Sequence, residues 1–192
     1  MVTREIQPRL PPRERILQAA EKLFYQEGIN RVTVDAIAEE AESTKMTLYR
    51  HFASKEVLVL TWIGRLIEDY SQIFDRLAEQ FPDNPAARIR GFGEFIAANL
   101  SGTLKRGCPF TNTLAETTGH YAEVRALIFA HKQRQFHRLV ALCREAGASQ
   151  PETAAKEITL MLEGLQVVAQ NAGFDGAAEF VLEKLNAMVK AF

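Results

Sequence analysis

Residues 33–55 read Thr33-Val34-Asp35-Ala36-Ile37-Ala38-Glu39-Glu40-Ala41-Glu42-Ser43-Thr44-Lys45-Met46-Thr47-Leu48-Tyr49-Arg50-His51-Phe52-Ala53-Ser54-Lys55. Thr33 suits an N-cap, because its hydroxyl can accept from an orphan N–H, and Asp35 complements the first turn. Val34, Ile37, Ala38 and Ala41 keep one inward face, which predicts a short helix over 34–41. Glu42 and Ser43 interrupt it. Ser43 or Thr44 then caps a second short helix to about Phe52, and Ser54 caps a third. Two short helices joined by a tight turn form a helix-turn-helix pattern. At ~100° per residue, Leu48 and Phe52 share the inner face of the second helix. Met46 and Arg50 point away from them, Thr47 and Tyr49 flank, and Lys45 and His51 lie at the edges.

That outward inventory suits a nucleic acid. Arg50 can donate two bonds to guanine, Thr47 can bond a base edge or touch a thymine methyl, and Met46 offers an apolar contact. Lys45, Tyr49 and His51 can reach phosphate oxygens. So can Thr33, Thr44 and Lys55, which sit at helix starts. Residues 43–55 hold Lys45, Arg50 and Lys55 and no acid, whereas residues 1–60 hold nine basic and nine acidic residues. The positive field is therefore local, with Arg4, Arg9, Arg13 and Arg15 as a possible extension. A solvated helical hairpin is the plain alternative on these grounds.

Upstream, Leu10-Pro11-Pro12 closes a polar arm, and Ile16, Ala20, Leu23 and Phe24 give a first helix that Gly28 stops. Downstream, the third capped helix runs from about Lys55 to Phe81. Further helices are expected over about 85–103, 109–117, 121–146, 151–172 and 175–192, punctuated by glycine and proline. No strand, low-complexity tract or fixed-period repeat stands out. The expected fold is all-α with about nine helices. It divides into an arm (1–12), a helix-turn-helix domain (13–60) and a larger helical domain (61–192).

The 192 residues are 47% hydrophobic and 24% charged, with 23 Lys plus Arg against 24 Asp plus Glu. A wholesale basic coat and an acidic tail protein are both excluded. Two cysteines cannot build a disulfide framework. No stretch reaches the roughly 20 apolar residues of a bilayer span, and the N-terminus has no apolar signal region. A cytoplasmic protein without a membrane partner is expected. No nucleophile elbow, phosphate loop or dinucleotide fingerprint is present, so no enzyme and no cofactor are expected. His120, His131, His137 and Cys143 show no i, i+4 pair, so no metal site is expected.

The runs Thr33 to Ala38, Thr44 to Phe52 and Ser54-Lys55-Glu56, with Ile16 to Gly28 before them, resemble the N-terminal domain of the TetR family of transcriptional regulators. The resemblance covers about residues 13–62. It implies a dimeric regulator, usually a repressor, whose helix at Thr44 to Phe52 reads the major groove, with Tyr49 and Lys55 at phosphate-clamping positions. Glu42 and Ser43 depart from the glycine and valine common there. The resemblance also implies a helical effector-binding and dimerisation domain, and names no effector.

In that larger domain, a pocket needs apolar walls and a few polar groups. Phe92, Phe95, Ile96, Phe110, Thr111, Leu114, Phe136, Leu162, Gln166 and Gln170 are the candidates, with plain core as the alternative. His131 and Gln135 could add polarity, although a solvated face is the favoured reading for both. The sparse acids point to a neutral or anionic apolar effector. Cys108 follows Arg106 near a helix start, a setting that favours the thiolate, and Cys143 could resolve a disulfide; a small packed residue is the alternative. Ile158, Met161, Leu165 and Val168, then Phe180, Leu185 and Met188, give two apolar faces suited to a four-helix homodimer interface or to the subunit's own core. A dimer suits a near-palindromic operator with half-sites about 34–36 Å apart.

Overall fold

The computed structural model describes residues 10–100 and 106–192, so most of the N-terminal arm, including Arg4 and Arg9, and the expected helix end near Thr103 lie outside the described residues. Every regular element described is helical: α1 (Pro12–Glu27), α2 (Val34–Glu40), α3 (Lys45–His51), α4 (Lys55–Gln80), α5 (Pro85–Leu100), α6 (Pro109–Glu116), α7 (Ala122–Glu145), α8 (Pro151–Gln170) and α9 (Ala177–Lys190). A 3-10 turn, Gly119–Tyr121, precedes α7 and takes the place of the helical start expected at Tyr121. The last helix begins at Ala177, not Asp175, after Gly176 adopts a left-handed φ of 75°.

The chain divides into two units, Met1–Trp62 and Ile63–Phe192, and α4 contributes residues to both. In the first, α1, α2 and α3 pack on one another around Ile16, Ala20, Phe24, Ile37, Leu48 and Phe52. Phe24 lies 5.6 Å from Trp62, ring to ring. The expected caps form. Thr33 accepts from the Ala36 N–H at 3.1 Å, Thr44 from Thr47 at 3.1 Å and Ser54 from Val57 at 3.2 Å. Each satisfies a donor that the first turn leaves without an intrahelical partner.

In the second unit, α5 packs on α7 and α9, and α8 packs on α7 and α9. Phe92, Ile89, Phe110, Ile128, Leu139 and Ile158 are fully enclosed. The α5–α9 crossing is close because Gly93 lacks a side chain; a Cβ there would stand 2.4 Å from Leu185 Cδ2. No helix among the described residues is long and apolar enough to cross a membrane.

Candidate nucleic-acid interface and effector pocket

The geometry of α3 follows from its two anchors. Leu48 is 0% and Phe52 1% exposed, which turns the opposite face outward. Met46 is 82% and Tyr49 46% exposed, and Lys45, Arg50, His51 and Thr44 are also exposed. Thr47 is half-buried, with its hydroxyl 2.9 Å from that of Thr44. Thr33 is exposed at the start of α2.

Two of the expected phosphate-binding cations are engaged within the domain. The Lys45 ammonium donates to Asp35 at 3.0 Å, and that carboxylate holds its pKa above the usual lysine value. The Lys55 ammonium donates to the Ile29 carbonyl at 2.5 Å and ties α4 to the loop after α1. Lys55 is thus half-buried, not held free over a groove.

The turn between α2 and α3 carries a feature that sequence pattern does not reveal. Glu42 adopts φ 47°, a left-handed conformation, while the Ser43 N–H closes onto the Ala38 carbonyl at 2.8 Å. Arg15 on α1 donates to the carbonyls of Ala41 at 2.5 Å and Glu42 at 2.9 Å. One guanidinium therefore fixes the turn that sets the angle between α2 and α3. Because a side chain is strained at this φ, Glu42→Gly is expected to stabilise the protein by about 0.5–1 kcal/mol. Chemical denaturation of both proteins measures this, and an unchanged midpoint would show that no strain is stored there.

In the second unit, a small pocket opens between α5, α7 and α8. It brings together Phe92, Ile96, Phe136, Leu162 and Gln166 from the expected set. It adds Lys132, Gln135, Leu139, Thr159 and Glu163. Gln166 is 4% exposed; its amide N–H donates to the Leu162 carbonyl at 3.2 Å, and its oxygen is buried without a partner. The other expected residues lie elsewhere. Phe95 packs edge-on against Tyr70, and Phe110 is enclosed against Tyr70 and His131. Leu114 turns its carbonyl to Arg125, and Thr111 is exposed. Gln170 is exposed beside Gly107, whose bare Cα leaves room for it.

His131 corrects the expectation of a solvated face. It is 7% exposed, with its ring 4.5 Å from Phe110. Burial, reinforced by the positive charges of Lys132, Arg134 and Arg138, lowers its pKa to about 4. Gln135 is half-buried with its oxygen unpartnered.

Cys108 is 5% exposed at the N-cap of α6, and the Lys132 ammonium lies 3.7 Å from its sulfur and 2.5 Å from Glu163. Burial works against the Lys132 charge, but Cys108 and Glu163 outweigh it and raise its pKa. Cys108 and Cys143 are both free and buried, the latter on α7. Burial also pushes the Cys143 thiol up to about 11.

The expected dimer face needs a larger correction. Ile158, Leu165 and Leu185 are 0–2% exposed and belong to the subunit's own core. Met161, Val168 and Met188 are half-buried. The large apolar side chains left outside are Leu160 (73%), Val167 (48%), Phe174 (58%) and the expected Phe180 (52%).

A helix-turn-helix with this outward face has counterparts among known proteins. The family model described as "Bacterial regulatory proteins, tetR family" matches residues 16–61. A solved TetR-family regulator from Streptomyces coelicolor is 27% identical, with a TM-score of 0.82 over 94% of this chain and 93% of that one.

Residues 16–61 form a TetR-family domain.

That is a family of transcriptional regulators, not of enzymes. Among TetR-type sequences, the chain is 28% identical over 125 residues to the regulator TtgR of Pseudomonas putida, covering 60% of each. It is 30% identical over 130 residues to EthR of Mycolicibacterium smegmatis, covering 62% of this chain and 60% of that one. The chain thus matches about 60% of the length of these curated relatives.

Proposed function

We propose that this protein is a sequence-specific DNA-binding repressor in the cytoplasm that binds a near-palindromic operator as a homodimer and is released by a small apolar effector. The observation that carries the reading is the outward face of α3, where Met46, Tyr49, Arg50 and His51 stand exposed above the buried Leu48 and Phe52. Arg50 and Thr47 suit base edges, Met46 a thymine methyl, and Thr33, Thr44, Tyr49 and His51 suit phosphates. Lys45 reaches phosphate by exchanging Asp35 for it. Lys55 acts by holding the start of α4 in place.

The effector occupies the pocket between α5, α7 and α8, where Phe92, Ile96, Phe136 and Leu162 supply apolar wall and Gln166 a buried acceptor. The link to DNA is covalent: α4 starts at Lys55 in the first unit and continues to Gln80 in the second. An effector that shifts α4 changes the separation of the two α3 helices of a dimer. Coupling of about 1–3 kcal/mol changes operator affinity roughly 5- to 150-fold.

The test is a titration against randomised duplexes at two salt concentrations, with Tyr49→Ala alongside. The wild type is expected to select a near-palindrome with steep salt dependence, and Tyr49→Ala to lose about tenfold. Failure of folded dimer to bind any duplex at low salt, with or without candidate effectors, would refute the reading.

A second reading, in which Cys108 senses electrophiles, is favoured by one contact: the Lys132 ammonium lies 3.7 Å from the Cys108 sulfur. Alkylation by iodoacetamide is then expected to weaken operator binding in the wild type and not in Cys108→Ser. Equal responses would rule it out.

A further inference from the structure

A second, small crevice, partly open to solvent, lies between α4 and α7. Its α7 wall is His131, Arg134, Gln135 and Arg138, which fall at i, i+3, i+4 and i+7 and so share one helical face. Its α4 wall includes Tyr70, Ser71 and Phe74. The lining holds two guanidinium groups and no carboxylate. Arg138 is held at the rim, donating to the Ser71 hydroxyl at 3.2 Å with its guanidinium 5.2 Å from the centre of the Phe74 ring. Among the described residues, neither Arg134 nor Arg138 forms an ion pair with an acid.

Buried polar atoms point into a need for a partner. The His131 Nε2 has none, on a side chain that is 93% enclosed by its 7% exposure, and the Gln135 oxygen has none either. Unpartnered buried groups of this kind are rare in folded proteins and mark places where a ligand or water completes the bonding. A neutral imidazole can donate through Nε2, and a turned Gln135 amide offers an N–H. Two cations at the rim, two donors below them and the Tyr70 and Phe74 rings beside them complement a negative group carried on a flat apolar body.

We propose that this crevice binds the carboxylate of a compact aryl acid, with the acid between Arg134 and Arg138 and its ring against Tyr70 and Phe74. The proposal rests on the reading of this unit as effector-binding, and names the chemical class of an effector. A carboxylate on a ring fits better than free phosphate, which has no apolar surface to bury against the aromatic wall.

The experiment is calorimetric titration of the full-length, DNA-free protein with benzoate, with benzamide as the uncharged isostere, and with inorganic phosphate. Benzoate is expected to bind about tenfold more tightly than benzamide, the size of a charge-assisted hydrogen bond. Arg134→Gln is expected to remove most of that preference and leave benzamide unchanged. Arg134 carries the test because Arg138 also contacts Ser71 and Phe74. Equal affinity for acid and amide, an unaltered preference in Arg134→Gln, tighter binding of phosphate, or no benzoate binding would each overturn the proposal. With no DNA present, the result stands apart from the operator titration, so failure of either leaves the other readable.

Discussion

Leu160→Glu combined with Val167→Glu is expected to turn the protein into a monomer and to lower operator affinity by about a hundredfold or more. Leu160, Gly164 and Val167 fall at i, i+4 and i+7 on α8, and the two apolar side chains are 73% and 48% exposed. A Cβ on Gly164 would meet nothing within 4 Å, so the backbone between them is open to a second helix. Phe180, on the neighbouring α9, is 52% exposed. Apolar side chains exposed together on one helix face mark an interaction site. Two like charges per subunit on a self-complementary face repel across the two-fold axis. A monomer engages one half-site and forfeits the effective concentration that joins the second, a factor of about 10²–10⁴. Both positions are exposed, so folding changes by only about 0.5 kcal/mol. Light scattering gives the mass, and the operator titration gives the affinity. A variant that stays dimeric would move the interface to another face.

The second large effect is a loss of stability in acid. His131 is enclosed and neutral, with its pKa lowered to about 4 by burial first and then by Lys132, Arg134 and Arg138. In the unfolded chain the imidazole titrates near 6.5. Between those values the unfolded state binds the extra proton. The stabilising contribution is therefore complete above about pH 6.5 and is lost as the pH falls towards 4, amounting to about 3 kcal/mol. Carboxylates titrate in the same window, so the measurement is the difference between the wild type and His131→Leu in chemical denaturation from pH 7 to 4.5. The wild type is expected to fall more steeply. Parallel profiles would mean that the imidazole is not held neutral.

The first domain was readable because its determinants are local. Thr33, Thr44 and Ser54 each bond a backbone N–H three residues on, and Leu48 and Phe52 are one turn apart; both relations are visible as spacing. Arg15 is not visible in this way, since it reaches carbonyls 26 and 27 residues away. In α8 the difficulty is different. Ile158, Leu162 and Leu165 line one side and Leu160 and Val167 another, so hydrophobicity marks the whole helix without saying which face stays inside the subunit. Only the positions of α5 and α7 settle that, placing Ile158 and Leu165 inside. His131 is hidden from sequence pattern for a related reason: it is followed by Lys132 and flanked by Arg134, which suggest water, yet Phe110 and Tyr70 converge on it from other elements. Thr111 and Gln170 are polar residues near pocket-lining neighbours in sequence, and both turn to solvent.

The pair between Lys45 and Asp35 gives the reader helix a built-in competitor. Asp35 is 70% and Lys45 53% exposed, so water and salt reach both. For a DNA reader, every phosphate that takes Lys45 must first displace a carboxylate, whatever the base sequence beneath it. The cost falls equally on the right site and on the many wrong ones, so the ratio of their affinities is unchanged. What changes is residence: the arrangement shortens each stay on random DNA and quickens the search, at the expense of absolute tightness.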